Sequence, residues 1–176
     1  MLDRNRDATT ATGTTAASKG QDRYRVYTNA KNSYHNFGSA LGITYNFYKK
    51  NTIGGNVSFN QMKSNSTNDI FVTGFNTPRW STNLSFGNRE VVKNAGFNIV
   101  WKWQDAFLWE SPLVTGNIGA YSTVDAQVTY RIPKAKTSIK LGGADIFNNR
   151  YLQYAGGPTI GALYYVAITI DGLLNK

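Results

Sequence analysis

The sequence predicts an all-β fold of antiparallel strands, and three observations predict it. Nearly every segment after residue 22 alternates apolar and polar side chains with period 2, with no heptad or sustained 3.6-residue period. The mixture is rich in Asn, Thr, Ser, Gly and Tyr and poor in Leu and Met, which favours strands and turns over helices. The connections alternate short and long along the chain, which sorts them onto opposite ends of an up-and-down sheet.

Taken in order, residues 1–21 are Thr/Ala/Gly-rich and without period, and read as a polar loop or disordered segment. Residues 22–176 carry the strands. Arg23 to Thr28 is a short candidate. Phe37, Ser39, Leu41, Ile43, Tyr45 and Phe47 then share one face, as do Ile53, Gly55, Val57 and Phe59 in the next segment. Trp80, Thr82, Leu84 and Phe86 make a third set, and Ala95, Phe97, Ile99, Trp101 and Trp103 a fourth. Val124, Ala126, Val128, Tyr130 and Ile132 oppose Asp125, Gln127, Thr129 and Arg131. A weaker pattern covers Lys136 to Phe147, and Ala162, Tyr164, Val166, Ile168 and Ile170 close the series. The total is about eight strands. Between them "KKN", "NREVVKN" and "PKAK" are short, whereas Met62 to Pro78, Asp105 to Gly119 and Asn148 to Thr159 are long.

The apolar face of these strands is one residue thick, and the polar face is nearly continuous. A dry core would leave Asp125, Gln127 and Arg131 in need of partners; a water-filled lumen hydrates them. Lipid covering the apolar face accounts for its thinness. The prediction is therefore an antiparallel transmembrane β-barrel segment with short periplasmic turns and long extracellular loops. Aromatics make up 14% of the chain, including 11 Tyr and 4 Trp, as interfacial girdles require. The net charge is +9, and Lys49, Lys50, Arg89, Lys93, Arg131 and Lys134 crowd the short turns, where they suit lipid headgroups. The chain has no Cys, which excludes disulfides and thiolate chemistry, and His35 is its one histidine, which leaves little for a His-based catalytic arrangement. The opening residues lack an apolar h-region, so an export signal is expected to lie elsewhere.

Four stretches carry a family resemblance: "FNTPRWSTNLSFGNR" (Phe75 to Arg89), "GFNIVWKWQDAFLWES" (Gly96 to Ser111), "YSTVDAQVTYRIP" (Tyr121 to Pro133) and "GGADIFNNRYLQYAGGPTIGALYYVAITID" (Gly142 to Asp171). Together they resemble the C-terminal β-barrel portion of a TonB-dependent outer-membrane receptor of the SusC/RagA type. The resemblance implies a barrel of about 22 strands with an N-terminal plug and a TonB box. It implies a SusD-like surface lipoprotein as partner, import of oligosaccharides or peptides across a Bacteroidetes-like outer membrane, and drive from the TonB–ExbB–ExbD complex. The chain holds no plug and no TonB box, and it ends in Leu173-Leu174-Asn175-Lys176 instead of a terminal aromatic. It is therefore expected to be a fragment, whose edges need the missing strands, tighter closure or self-association.

No catalytic residue and no cofactor or metal is implied. The candidate substrate contacts are Asp125, Gln127 and Arg131 in the lumen and Trp109 and Tyr154 on the loops, with Trp103 as a further stacking platform. Each has a plainer reading, as hydrated wall for the first three and as girdle or loop packing for the aromatics. Asp105 and Glu110 read as solvated loop charges, "GGPTIG" (Gly156 to Gly161) as a turn lacking the Lys and helix of a phosphate loop, and Asp145 as a weak candidate for a buried ion. Two other functions compete: a nucleic-acid-binding β-domain, given the charge and aromatics, and a small self-contained barrel acting as adhesin or anchor. Basic residues gathered at turns argue against the first.

Overall fold

A computed structural model describes residues 2–3, 25–26, 33–64, 73–111 and 113–170. The strands are β1 (Leu2–Asp3), β2 (Arg25–Val26), β3 (Tyr34–Phe47), β4 (Asn51–Ser64), β5 (Trp80–Val92), β6 (Ala95–Gln104), β7 (Phe107–Glu110), β8 (Thr115–Ile118), β9 (Tyr121–Ile132), β10 (Thr137–Ala144) and β11 (Leu163–Ile170). Seven of them form one antiparallel sheet in the order β11-β10-β9-β6-β5-β4-β3. Two small ladders lie outside it, β1 with β2 and β7 with β8. Most of residues 1–21, read from sequence as a loop, lies outside the described residues.

Each strand of the large sheet is a neighbour of the next, so its connections fall alternately on two ends. At one end sit Tyr48 to Lys50, Lys93–Asn94 and the 3₁₀ turn Pro133–Ala135. At the other sit the three long connections. Each short turn carries left-handed residues: Lys49 and Lys50 (φ 57° and 65°), Asn94 (67°) and Lys136 (47°). Asn88, 5% exposed, ties the Tyr48 to Lys50 turn to β5. Its Nδ2 donates to Lys49 O (3.0 Å) and Asn51 Oδ1 (2.7 Å), and its Oδ1 accepts from Glu90 N (2.7 Å). These bonds sit at the irregularity between Asn88 and Val92, where β5 departs from regular pairing with β6.

The register settles which side chains share a face. One cross-strand row reads Tyr45, Ile53, Phe86, Ile99, Ala126, Gly143 and Tyr164; the next reads Ile43, Gly55, Leu84, Trp101 and Val124. On the opposite face the rows read Asn46, Thr52, Gly87, Asn98, Gln127, Gly142 and Tyr165, then Gly42, Asn56, Asn83, Lys102 and Thr123. No described element covers the apolar face: Leu41 is 63% and Ile43 65% exposed, and Ile118 is the one fully buried apolar side chain among the described residues. Leaving about ten such side chains in water forgoes on the order of 20 kcal/mol, at 1.5–3 kcal/mol each. That exceeds the roughly 5–15 kcal/mol by which a typical domain is stable. The face therefore belongs in an apolar medium.

Two aromatic bands bound it. Phe37, Phe59 and Trp80 lie toward the long loops, with ring centroids 5.9 Å apart for Phe37–Phe59 and 4.6 Å for Phe59–Trp80. Lys63 and Arg79 cap these rings at 5.8 and 5.5 Å, cations reaching from the edge of the band toward water. Tyr45 stacks on Phe47 and Phe86 meets Phe97 toward the short turns. From Phe59 to Asn51 along β4 the rise is about 26 Å at 3.3 Å per residue. With the usual barrel tilt of about 40° the band stands about 20 Å tall, close to a bilayer's apolar thickness for such strands. No helix among the described residues is long and apolar enough to cross a membrane; strands do so here.

The sheet is open. Among the described residues β3 and β11 pair on one side only. It holds seven strands where the sequence pattern counts about eight: of the Arg23 to Thr28 segment only Arg25–Val26 is described, and it pairs with β1 instead of the sheet. A second departure concerns β5. The "NREVVKN" stretch is not a turn: β5 runs through it to Val92, so Arg89 projects from the polar face and only Lys93–Asn94 makes the bend. A third is the β7–β8 hairpin inside the predicted Asp105 to Gly119 loop.

The last hairpin is fitted by side-chain size. Gly142 and Gly143 face Tyr165 and Tyr164 across the β10–β11 ladder. A Cβ on Gly142 would come within 2.5 Å of the Tyr165 hydroxyl, and one on Gly143 within 2.8 Å of the Tyr164 ring. The rings lie across the bare glycines on opposite faces of the sheet, a known remedy for glycine in strands.

Candidate functional site

Two regions of the polar side hold chemistry. The first is the wall formed by β6, β9, β10 and β11. Lys102 and Asp125 are diagonal neighbours across β6 and β9, where Lys102 opposes Thr123 and Asp125 opposes Val100, and they form an ion pair through Lys102 Nζ and Asp125 Oδ2. Asp125 Oδ1 accepts from Asp145 N at 3.0 Å, where β10 leaves the sheet through the left-handed Asp145 (φ 48°). Asp145 is 2% exposed, and neither of its carboxylate oxygens has a hydrogen-bond partner. Among the described residues no three His, Cys, Asp or Glu side chains gather as a metal set. One strand spacing away, the Tyr165 hydroxyl lies 3.1 Å from Gln127 Oε1, to which it donates. Arg131 stands lower, toward the short turns, in a groove with Arg89 and Lys140. The polar faces of β3 and β4 from Asn36 to Met62 carry Asn, Thr, Ser, Gly, Ala and Met but no charge.

The second region is the long-loop end. The β7–β8 hairpin stands over the sheet and is pinned from a neighbouring loop. Asn76 Nδ2 donates to Glu110 O at 2.9 Å, Glu110 N donates to Asn76 Oδ1 at 2.6 Å, and Thr73 Oγ1 donates to Glu110 Oε2. The third loop joins through Tyr151, stacked on Tyr121 at 4.1 Å, and through Asn149 Nδ2, which donates to Ser122 O at 3.1 Å. Trp109 and Tyr154 come from different loops and meet with centroids 5.6 Å apart. Trp109 is half-buried with its Nε1 donor unpartnered; Tyr154 is exposed. The pair offers two tilted aromatic faces at the long-loop end, while the indole N–H itself is buried.

Of the residues picked from sequence, Trp109 and Tyr154 are brought together, Asp125 and Gln127 lie on one wall, and Arg131 shares a groove with Gln127 but not with Asp125. Trp103 belongs to the apolar face, opposite Ser122 and Thr82, so it is not a loop platform. Asp105 and Glu110 do not form a carboxylate pair: Asp105 Oδ1 accepts from Ala106 N, while Glu110 is held by Asn76 and Thr73. The glycine-rich stretch after Tyr154 is a turn, with Gly156 at φ 80° and Gly157 N bonded to Tyr154 O. His35 lies exposed near the start of edge strand β3. Sequence reading missed Lys102 as the partner of Asp125, although both are oppositely charged residues on the polar faces of period-2 segments, which was the available signal. It also missed Tyr121–Tyr151, a loop contact no local pattern marks.

A single-layer meander with one apolar face, two aromatic bands and loops sorted by length defines the wall of a membrane β-barrel. The chain belongs to the outer membrane protein beta-barrel family, whose model matches residues 2–159, and it is accordingly a protein of the outer membrane. Solved structures of similar fold include the FpvAI–pyocin S2 complex (TM-score 0.61, 13% identity) and Pseudomonas aeruginosa FpvA bound to heterologous pyoverdines (TM-score 0.59, 13% identity). A third is the ferripyoverdine receptor of the outer membrane of Pseudomonas aeruginosa (TM-score 0.54, 15% identity). Each likeness covers 77% of this chain but only 19% of the matched chain, so this chain spans about a fifth of the length of the solved structures it matches. Among curated protein sequences none matches.

Proposed function

We propose that the chain forms part of the wall of a TonB-dependent transporter of the SusC/RagA type, which imports oligosaccharides or peptides. Residues 22–176 supply wall strands of its C-terminal portion and residues 1–21 lead into them. A SusD-like lipoprotein covers the long-loop end, and a plug encoded with the rest of the barrel couples transport to TonB–ExbB–ExbD in a Bacteroidetes-like outer membrane. The reading is one of passage, with no catalytic group.

The observation that carries it is the Trp109–Tyr154 pair, presented on loops above a polar wall whose β3–β4 half is uncharged. Aromatic faces stack on sugar rings, and Asn, Ser and Thr exchange hydrogen bonds with hydroxyls or amides without demanding a charge. In this reading Asp125, Gln127 and Arg131 line the route below. The open edges at β3 and β11 and the likeness to a fifth of a receptor chain support a segment of a larger barrel over a small self-contained one.

The test is uptake of labelled oligosaccharides by cells carrying Trp109→Ala and Tyr154→Ala in the chromosomal reading frame. Loss of two stacking contacts at about 1 kcal/mol each is expected to lower uptake at limiting substrate by about tenfold or more. A protonophore should abolish uptake in the parent strain. Uptake that ignores both the substitutions and the protonophore sinks the proposal.

A further inference from the structure

On the polar face, toward the short turns, lies a groove of about 440 Å³ whose lining includes Arg89, Arg131 and Lys140 and no carboxylate. The ladder explains its shape. Gly96, Thr129 and Lys140 form one cross-strand row, and Arg131 and Ser138 the next. Arg89 adjoins Gly96 on its other side, its carbonyl oxygen 2.6 Å from where a Gly96 Cβ would stand. The floor is thus made of Gly96, Thr129 and Ser138, all small, and the walls of long cations. Arg89 and Lys140 are three strand spacings apart, about 14 Å between Cα atoms, and Arg131 on β9 stands between them.

No ion pair among the described residues engages Arg89, Arg131 or Lys140: those present are Lys50–Glu90 and Lys102–Asp125. Glu90 feels the charge of Arg131, but more strongly that of its partner Lys50. The described lining thus holds an excess of cations, and a concave wall focuses their field on whatever anion enters. Guanidinium groups bind carboxylate and phosphate oxygens in a two-pronged geometry, and the Thr129 and Ser138 hydroxyls are further donors at the floor.

We propose that this groove binds an oxyanion, a phosphate or carboxylate group of a solute in the aqueous passage. The inference rests on the passage reading above and adds to it a site and a ligand class. Anionic solutes are drawn to the β5–β10 half of the wall, away from the neutral β3–β4 half.

The test uses outer-membrane fractions from cells making the protein. Phenylglyoxal modifies accessible arginines, and peptide mass spectrometry reads each position. With inorganic phosphate at about ten times its Kd, and chloride as the control at equal ionic strength, modification of Arg89 and Arg131 is expected to slow about tenfold by occupancy. Arg79 and Arg150, which lie outside the groove, should react at unchanged rates, and Lys140→Gln should weaken the protection. Labelling of Arg89 and Arg131 without selective protection overturns the oxyanion site and leaves the passage reading standing. Failure of both arginines to react at all removes the water from this face, and overturns both.

Discussion

At the scale of single residues, Asn88 shows how a polar side chain holds a bend together. It is buried, bonded at both amide atoms, and placed where β5 leaves regular pairing. Substituting Ala strands the Lys49 carbonyl and the Glu90 amide near the membrane boundary, where water replaces them incompletely. Asn88→Ala is expected to cost about 2 kcal/mol, from two or three lost hydrogen bonds at about 1 kcal/mol each. Denaturant unfolding of the detergent-folded protein measures it. Asn36→Ala, at an exposed position on the polar face of β3, should change stability by under about 0.5 kcal/mol. Equal effects at the two positions would contradict the role given to Asn88.

At the scale of the strands, alternation is the whole argument and can be tested by neighbours. Leu84 stands midway between the aromatic bands on the apolar face, and Asn83 points the other way. Leu84→Arg is expected to cost about 2–4 kcal/mol, the penalty for a cation at mid-bilayer on a barrel's outer face. Asn83→Arg should cost under about 1 kcal/mol, because a hydrated wall accepts charge. Similar losses from both would mean that neither face meets water. This same alternation made the fold legible in the sequence: Phe37 to Phe47 and Ala95 to Gln104 appear as strands with the predicted faces, because the medium on each side imposes a period that no distant contact needs to specify. What the sequence concealed depends on distant partners. The β7–β8 hairpin has only four residues per strand and is held by Asn76 from another loop. Arg89 was assigned to a headgroup position because "NREVVKN" resembles a turn, whereas the Asn88 side chain lets the strand continue. Trp109 and Tyr154 were each visible as loop aromatics, but their meeting is tertiary.

At the scale of the whole molecule, the four tryptophans report the topology directly. Trp80, Trp101 and Trp103 belong to the apolar face and Trp109 to the loop cluster. In vesicles of brominated phospholipid, single-tryptophan variants retaining Trp101 should be strongly quenched, those retaining Trp80 or Trp103 intermediate, and Trp109 little. Water-soluble acrylamide should give the reverse order. Without detergent or lipid the chain is expected to aggregate, since its apolar face and two unpaired strand edges are both adhesive. A monodisperse, folded chain in plain buffer would refute the membrane assignment.

The twin glycines opposite the twin tyrosines in the last hairpin act as a lock on assembly. Sliding β11 by one position turns each ring to the wrong side of the sheet. Sliding it by two toward the short turn sets the rings on Lys140 and Leu141, and sliding it by two the other way sets them on Ala144 and Asp145, so neither slip offers both rings a bare glycine. A misthreaded final strand therefore meets a steric refusal before it can settle, and the correct alignment proofreads itself.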